Sequence, residues 1–340
     1  MPATFLPTTA ACACTLCASL EAEIVGERDR RGTPLRTVIC RSCGLVRTDP
    51  MPDAAQITAY YAREYRRSYK GAERPTARRV LRALDVARDR FARLRPHLHD
   101  RRRVLDVGAS SGEFLQVLRA AGIGATGIEP NEAYSRWGRE NLGLEIENTD
   151  WSRAHFPAGR FDAITLFHVL EHLADPVGAL RRLACWLAPG GVLAVEVPNI
   201  EGTCGSPSGR FHFAHLHHFN LPTLSAAGAA AGLDVASRET SPDGGNITIV
   251  FVPAPTPATQ VAGIAGNHDR VRRALRAHTT LRHCLSPRTW LRPLAKAARH
   301  LRESALCLRH RSAADLARRV AGNGPAEGFG RLGRQPLPAG

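Results

Sequence analysis

Three groups of residues in this chain have types and spacings that could do chemistry. Cys14 and Cys17 are separated by two residues, as are Cys40 and Cys43, and 22 residues lie between the two pairs. Each pair fits a tight turn that can aim two thiolates at one tetrahedral ion, which predicts a structural four-sulfur zinc site with no open position for a substrate. Cys12 gives poorer chelate spacing, and a redox role for either pair is the competing reading. A second group is the glycine-bearing turn GASSG at Gly108–Gly112, with Asp106 before it and Glu129 about 20 residues on. A loop of this kind lets a nucleoside cofactor such as adenosylmethionine approach the backbone, with Asp106, Gly108, Ser110 and Gly112 lining the turn and Glu129 accepting from a ribose diol. The same five residues also satisfy G-x-S-x-G, which would make Ser110 a hydrolase nucleophile, although Asp106 stands where an elbow strand is normally apolar. A dinucleotide loop is disfavoured because the G-x-G-x-x-G spacing is absent. The third group is histidine-rich: His212, His215, His217 and His218 fall within seven residues. They read as a general base, as a second metal site, or as polar lining with Phe213 and Phe219 in the core.

The elements that must position these residues follow from the hydrophobic pattern. Residues 1–52 form a short cysteine-bearing module, predicted as a zinc ribbon, and 53–100 a helical connector with Tyr60, Tyr61, Tyr65 and Tyr69. From residue 101 to 254 strand-like and helix-like segments alternate: RVLDVGA, ATGIEP, GLEIEN, FDAITLFHV and VLAVEVP with helices between, then LDVASRET and NITIVFV joined by SPDGG as a hairpin. Seven strands result, and the histidine segment follows the fifth, on the face where ligands bind in open α/β sheets. Residues 255–340 read as a linker and a basic helical tail whose last fifteen or so residues are poorly ordered.

The motifs VLDVGASSGEF with GIEPN, FPAGRFDAITLFHVLEHLADP and LAPGGVLAVEVPN, in that order, resemble the class I S-adenosylmethionine-dependent methyltransferases over about Arg103 to Val252. The resemblance implies a Rossmann-like α/β sheet of order 3-2-1-4-5-7-6. It implies a cofactor over the first two strands, held by the loop, Glu129 and Pro130, with adenine near Asp150 and Trp151, and Phe167 and His168 closing the pocket. The four-cysteine module, YYAREYRRSY, HVLEHL, HLHHFN and GGNITI are together similar to the sugar C-methyltransferases. That likeness implies His215 as base on a nucleotide-linked keto-sugar, His172 as a further active-site histidine, and Tyr65, His212 and His217 near the substrate. The chain departs from that group at Ala214, where the group has glutamate, and at His212, where it has tyrosine.

Charge sharpens the alternatives. The formal net charge is +15, yet residues 256–340 alone carry sixteen basic residues against four acids. Such a tail could rest on phosphates, which keeps a nucleic-acid methyltransferase in view, or on anionic lipid as a peripheral membrane contact. The fourth-strand segment TLFHVLEH lacks the Asn/Asp-Pro-Pro-aromatic turn of base-methylating enzymes, which favours a small-molecule acceptor over nucleic acid. No apolar run approaches the roughly 18 residues of a membrane span. The N-terminus has no basic residue ahead of its apolar stretch, so the chain reads as cytoplasmic. Cys185, Cys204, Cys284 and Cys307 read as free thiols.

Overall fold

The computed structural model describes residues 12–53, 56, 75–98, 101, 103–255, 261–310 and 312–321. Tyr65, most of the tyrosine-bearing segment and the last nineteen residues lie outside them. The chain divides into two compact units, residues 1–73 with 151–295, and residues 74–150 with 296–340.

The first unit begins with the cysteine module. Strands β1 (Ala22–Arg28) and β2 (Pro34–Cys40) form an antiparallel hairpin, and β3 (Val46–Thr48) pairs with β2. Asp29 shapes the hairpin turn, its Oδ1 accepting from the Arg31 and Thr33 amides at 2.8 and 2.9 Å. In the second unit, helix α1 (Ala77–Leu98) buries Val80, Leu81, Leu84, Leu94 and Leu98 along one face. It is followed by β4 (Val104–Val107), α2 (Glu113–Ala120), β5 (Ala125–Ile128), α3 (Glu132–Trp137) and β6 (Ile146–Glu147). Strands β4, β5 and β6 run parallel in that order, as short buried βαβ strands require.

The chain then returns to the first unit with β7 (Phe161–Phe167), α4 (Pro176–Cys185) and β8 (Leu187–Pro198). Next come β9 (His217–His218), α5 (Leu221–Ala230), β10 (Leu233–Thr240) and β11 (Asn246–Pro253). Here the order is β10-β11-β8-β7, with β10 and β11 the predicted antiparallel hairpin. Within each unit the strands follow the expected 3-2-1 and 4-5-7-6 succession of a methyltransferase sheet. Strand β9 was not expected: it comes from the histidine segment and pairs with β3, becoming the fourth strand of the cysteine module's sheet.

The described C-terminal residues are largely helical. Helices α6 (Asn267–Ala277), α7 (Thr280–Leu285), α8 (Pro287–Arg309) and α9 (Ala313–Ala321) follow one another. In the first unit Val271 of α6 joins Ile39, Val46 and Ile200 in one core cluster. In the second, α9 buries Leu316, Ala317 and Val320, and Glu303 of α8 accepts from Arg82 of α1 at 2.6 and 2.7 Å. Trp290, Leu291, Leu294, Leu301 and Leu308 of α8 stay largely exposed. Among the described residues no helix is long and apolar enough to cross a membrane.

Candidate active site and metal centre

Two local turns bring the four cysteines together. The Cys14 carbonyl accepts from the Ala18 amide, and the Cys40 carbonyl accepts from the Gly44 amide, both at near 2.9 Å. Gly44 has φ +74, and a Cβ there would run into Asn267, whose Nδ2 donates to the Cys43 carbonyl at 2.8 Å. All four Sγ atoms lie within 4.8 Å of one another, with Cys14 to Cys43 at 3.6 Å and Cys17 to Cys40 at 3.5 Å. Sulfurs bound at about 2.3 Å to one tetrahedral ion would stand about 3.8 Å apart, so the set fits zinc. Burial pushes the Cys17 thiol up to about 12, and the Cys43 thiol is held well above the ordinary range by its bonds to Cys14 and Cys40. Four thiolates packed this closely would repel one another, which a cation bound among them would offset. Cys12 stands apart from the set: its carbonyl takes the buried Arg47 guanidinium, and its amide donates to Asp49.

The cofactor-type loop belongs to the second unit. Strand β4 carries buried Asp106, and the chain then turns through Gly108 (φ 79), Ser110 (φ 52) and Gly112 (φ 87) into α2. A Cβ on Gly112 would run into Leu144, so glycine is required there for space as well as for φ. Glu129, 8% exposed at the end of β5, accepts from the Ser110 amide at 2.8 Å and from the Asn131 amide at 2.7 Å. Its carboxyl is pushed up by burial, against the pull of those two amides. The backbone of Glu129 and Pro130 is held in turn by the Asn148 amide at 2.9 and 3.1 Å. Asp150 is half-buried on the following loop. This unit thus brings together Asp106, Gly108, Ser110, Gly112, Glu129 and Pro130 as expected; Trp151, Phe167 and His168 belong to the first unit.

In the first unit a histidine cluster forms where β7, β8 and the segment before β9 meet. His168, at φ 55 just past β7, lies between two buried carboxylates, with Nδ1 3.4 Å from Glu171 and Nε2 3.5 Å from Glu196. His172 Nδ1–H donates to the Ala214 carbonyl at 2.7 Å, and its Nε2 lies 3.8 Å from Glu171 Oε1. The His172 ring meets the His215 ring edge-on at 4.9 Å, and His215 in turn lies 5.3 Å from His212 and 6.0 Å from His218. His217 is set apart: it has no exposed surface, and its Nε2 bonds Thr15 Oγ1 of the cysteine module at 2.9 Å. Phe219 is packed in the core.

Glu171 is the residue that sequence reading missed. It is 1% exposed, and among the described residues neither oxygen has a hydrogen-bond partner. One donor atom each from Glu171, His172 and His215 lie within 4.8 Å of one another, so the three could hold a proton or a divalent cation between them. The Glu171-His172 pair was visible in HVLEHL; nothing local announced that His215 would join it.

Burial holds every ring of this segment neutral. It lowers His212 to about 4, His215 to about 2, and His217 and His218 each to about 3, with neighbouring histidines adding to the shift at His215. On unfolding these rings bind protons below about pH 6.5, whereas the folded rings do not until far lower pH. Stability is therefore full above 6.5 and falls as the pH drops below it. Four such rings cost about 4 kcal/mol between pH 6.5 and 5.5. Urea midpoints of the zinc-supplemented protein at pH 7.5, 6.5 and 5.5 check this; midpoints that do not move would refute the neutral cluster.

With this geometry in place, comparison with known proteins is informative. Residues 77–238 match the family model described as a methyltransferase domain. The match supports a class I S-adenosylmethionine-dependent methyltransferase domain over these residues. Among curated proteins it is 35% identical over 126 residues to a tRNA U34 carboxymethyltransferase of Idiomarina loihiensis, covering 33% of this chain and 38% of that protein. It is 34% identical over 109 residues to a ubiquinone biosynthesis O-methyltransferase of Actinobacillus pleuropneumoniae, covering 29% and 46% respectively. The chain thus spans less than half the length of these relatives. A solved structure of the Burkholderia thailandensis 1,6-didemethyltoxoflavin-N1-methyltransferase aligns with 19% identity and a TM-score of 0.48, covering 69% of this chain and 99% of that one.

Proposed function

We propose that the chain transfers the methyl group of S-adenosylmethionine to a small-molecule acceptor, such as a nucleotide-linked keto-sugar or a related metabolite, and that the acceptor's proton leaves to the His215–His172–Glu171 cluster. The observation that carries this reading is the convergence of the His172 and His215 rings on the buried Glu171 carboxylate, neither of whose oxygens has a hydrogen-bond partner among the described residues. When bound, the cofactor supplies an electrophilic methyl group. Asp106, the Gly108–Gly112 turn, Glu129 and Pro130 would hold it, and Asp150, Trp151, Phe167 and His168 are proposed as further cofactor residues. His215 is free of a proton across the working range and can accept one. Its burial makes it a weak base alone, and the Glu171 carboxylate offsets this by facing the imidazolium that forms. Tyr65 and His212 are proposed near the acceptor; His217, expected there from the sequence, is instead fully buried with its Nε2 bonded to Thr15, so it holds the fold and does not meet a substrate. The four cysteines hold zinc as a structural ion.

A nucleic-acid acceptor is the alternative, supported by the tRNA-modifying relative and the arginine-rich helices. A peripheral membrane contact through α8 is supported by its exposed Trp290 and leucines among arginines.

Calorimetric titration with S-adenosylmethionine tests the cofactor half. Glu129→Gln keeps one acceptor oxygen but puts an NH2 against a backbone donor, so affinity is expected to fall roughly 10- to 100-fold. No binding by folded wild type would overturn the reading. Labelled methyl transfer to a panel of nucleotide sugars, small acids and tRNA then identifies the acceptor class.

A further inference from the structure

The loop between β8 and β9 supplies a charged group that the methyl-transfer chemistry does not use. In the first unit it borders a cavity of about 200 Å³ whose wall includes Arg210, His215, His218, His278 and Cys204. Arg210 points no charge at an acid: among the described residues no carboxylate pairs with it, and its side-chain bond is Nη2 donating to His278 Nδ1 at 2.6 Å. Glu201, the acid on the same loop, is already held bidentate by Arg270 at 2.6 and 2.8 Å. His278 accepts from Arg210 and has Nε2 3.4 Å from His283 Nδ1, and its pKa is lowered by burial and by the guanidinium, so it stays neutral and adds no counter-charge. Burial likewise lowers the Arg210 pKa, the mark of a cation withdrawn from water without compensation. A second polar side chain lines the same cavity: His218 is 6% exposed, and among the described residues its buried Nε2 has no hydrogen-bond partner.

A guanidinium in a cavity wall with no carboxylate partner among the described residues is complementary to a group that brings negative charge and two acceptor oxygens. We propose that this cavity binds the anionic group, a carboxylate or a phosphate monoester, of a small acceptor, with Arg210 as its principal partner and the His218 ring beside it. His215 lines the same cavity, so an acceptor anchored on Arg210 has its reactive end on the side of the proton-accepting cluster. About 200 Å³ is below the roughly 300–1,000 Å³ of pockets that enclose drug-sized ligands, which favours a compact acid over a nucleotide sugar. The inference rests on the methyl-transfer reading only in calling the ligand the acceptor.

The test is direct binding to the full-length, zinc-loaded protein without S-adenosylmethionine, at constant ionic strength. Inorganic phosphate and benzoate are titrated calorimetrically, with benzamide as the uncharged counterpart of benzoate. Wild type is expected to bind both anions and to bind benzamide at least roughly 10-fold more weakly. Arg210→Gln is expected to lose roughly 10- to 100-fold in anion affinity, Arg210→Lys to retain part of it, and Arg238→Gln, on exposed β10, to match wild type. Phosphate and benzoate affinities compared with each other distinguish the two anion classes. Benzamide binding as tightly as benzoate, an Arg210→Gln variant that binds like wild type, or folded wild type that binds neither anion would overturn the proposal. Because no turnover is read, such a failure leaves the methyl-transfer reading standing. Intact anion binding without any methyl transfer would strike that reading alone.

Discussion

Stripping the four-cysteine cluster with a strong chelator is expected to unfold the N-terminal module and, with it, to abolish methyl transfer. A structural zinc ion contributes roughly 10–16 kcal/mol of apparent binding free energy in small zinc-folded peptides, which matches or exceeds the whole stability of an ordinary domain, about 5–15 kcal/mol. The loss spreads because the module is not a separate bead. Strand β3 pairs with β9, Thr15 bonds His217, and the Cys43 carbonyl takes the Asn267 side chain, so the histidine segment is clamped on the cysteine sheet. Zinc release monitored with a colorimetric indicator, alongside hydrogen exchange of residues 34–48 and 214–220, measures the effect. Protection in both segments should disappear together as zinc is released, and Cys40→Ala should reproduce the loss. Removal of the ion with protection of residues 214–220 unchanged would refute the coupling.

The second large effect is on rate. His215→Ala is expected to lower kcat by roughly 10²- to 10⁴-fold while leaving S-adenosylmethionine affinity unchanged, since a positioned base contributes about that much. Glu171→Gln should lower kcat as well, because the neutral amide no longer compensates an imidazolium. Between pH 7.5 and 6.5 the wild-type kcat should show no loss attributable to His215, whose ring is already proton-free there. A kcat within threefold of wild type for His215→Ala would remove it from the mechanism. The same donor set admits a second reading, a divalent cation held by Glu171, His172 and His215, favoured by the two unpartnered oxygens of Glu171. Rates measured on zinc-quantified protein with and without added Mg²⁺ or Mn²⁺ separate the two: stimulation lost in Glu171→Gln indicates a cation, and no stimulation indicates proton transfer alone.

The sequence by itself determined the elements whose signals are local. The two Cys-x2-Cys turns, the strand–turn–helix around Gly108–Gly112, the acid at Glu129 and the β10–β11 hairpin each depend on residues a few positions apart, where turn geometry and hydrophobic period leave little choice. The methyltransferase class and its strand succession were therefore legible. Only the tertiary structure decided what distant segments do to each other. Burial by packing, not residue type, sets the histidines neutral. It also gives Glu171 to His172 and His215, sends His217 into the cysteine module, and leaves Arg210 without an acid in a cavity wall. Hydrogen-bond partners and desolvation arise from contacts between residues tens of positions apart, and a one-dimensional pattern carries no record of which side chains will lose their water together.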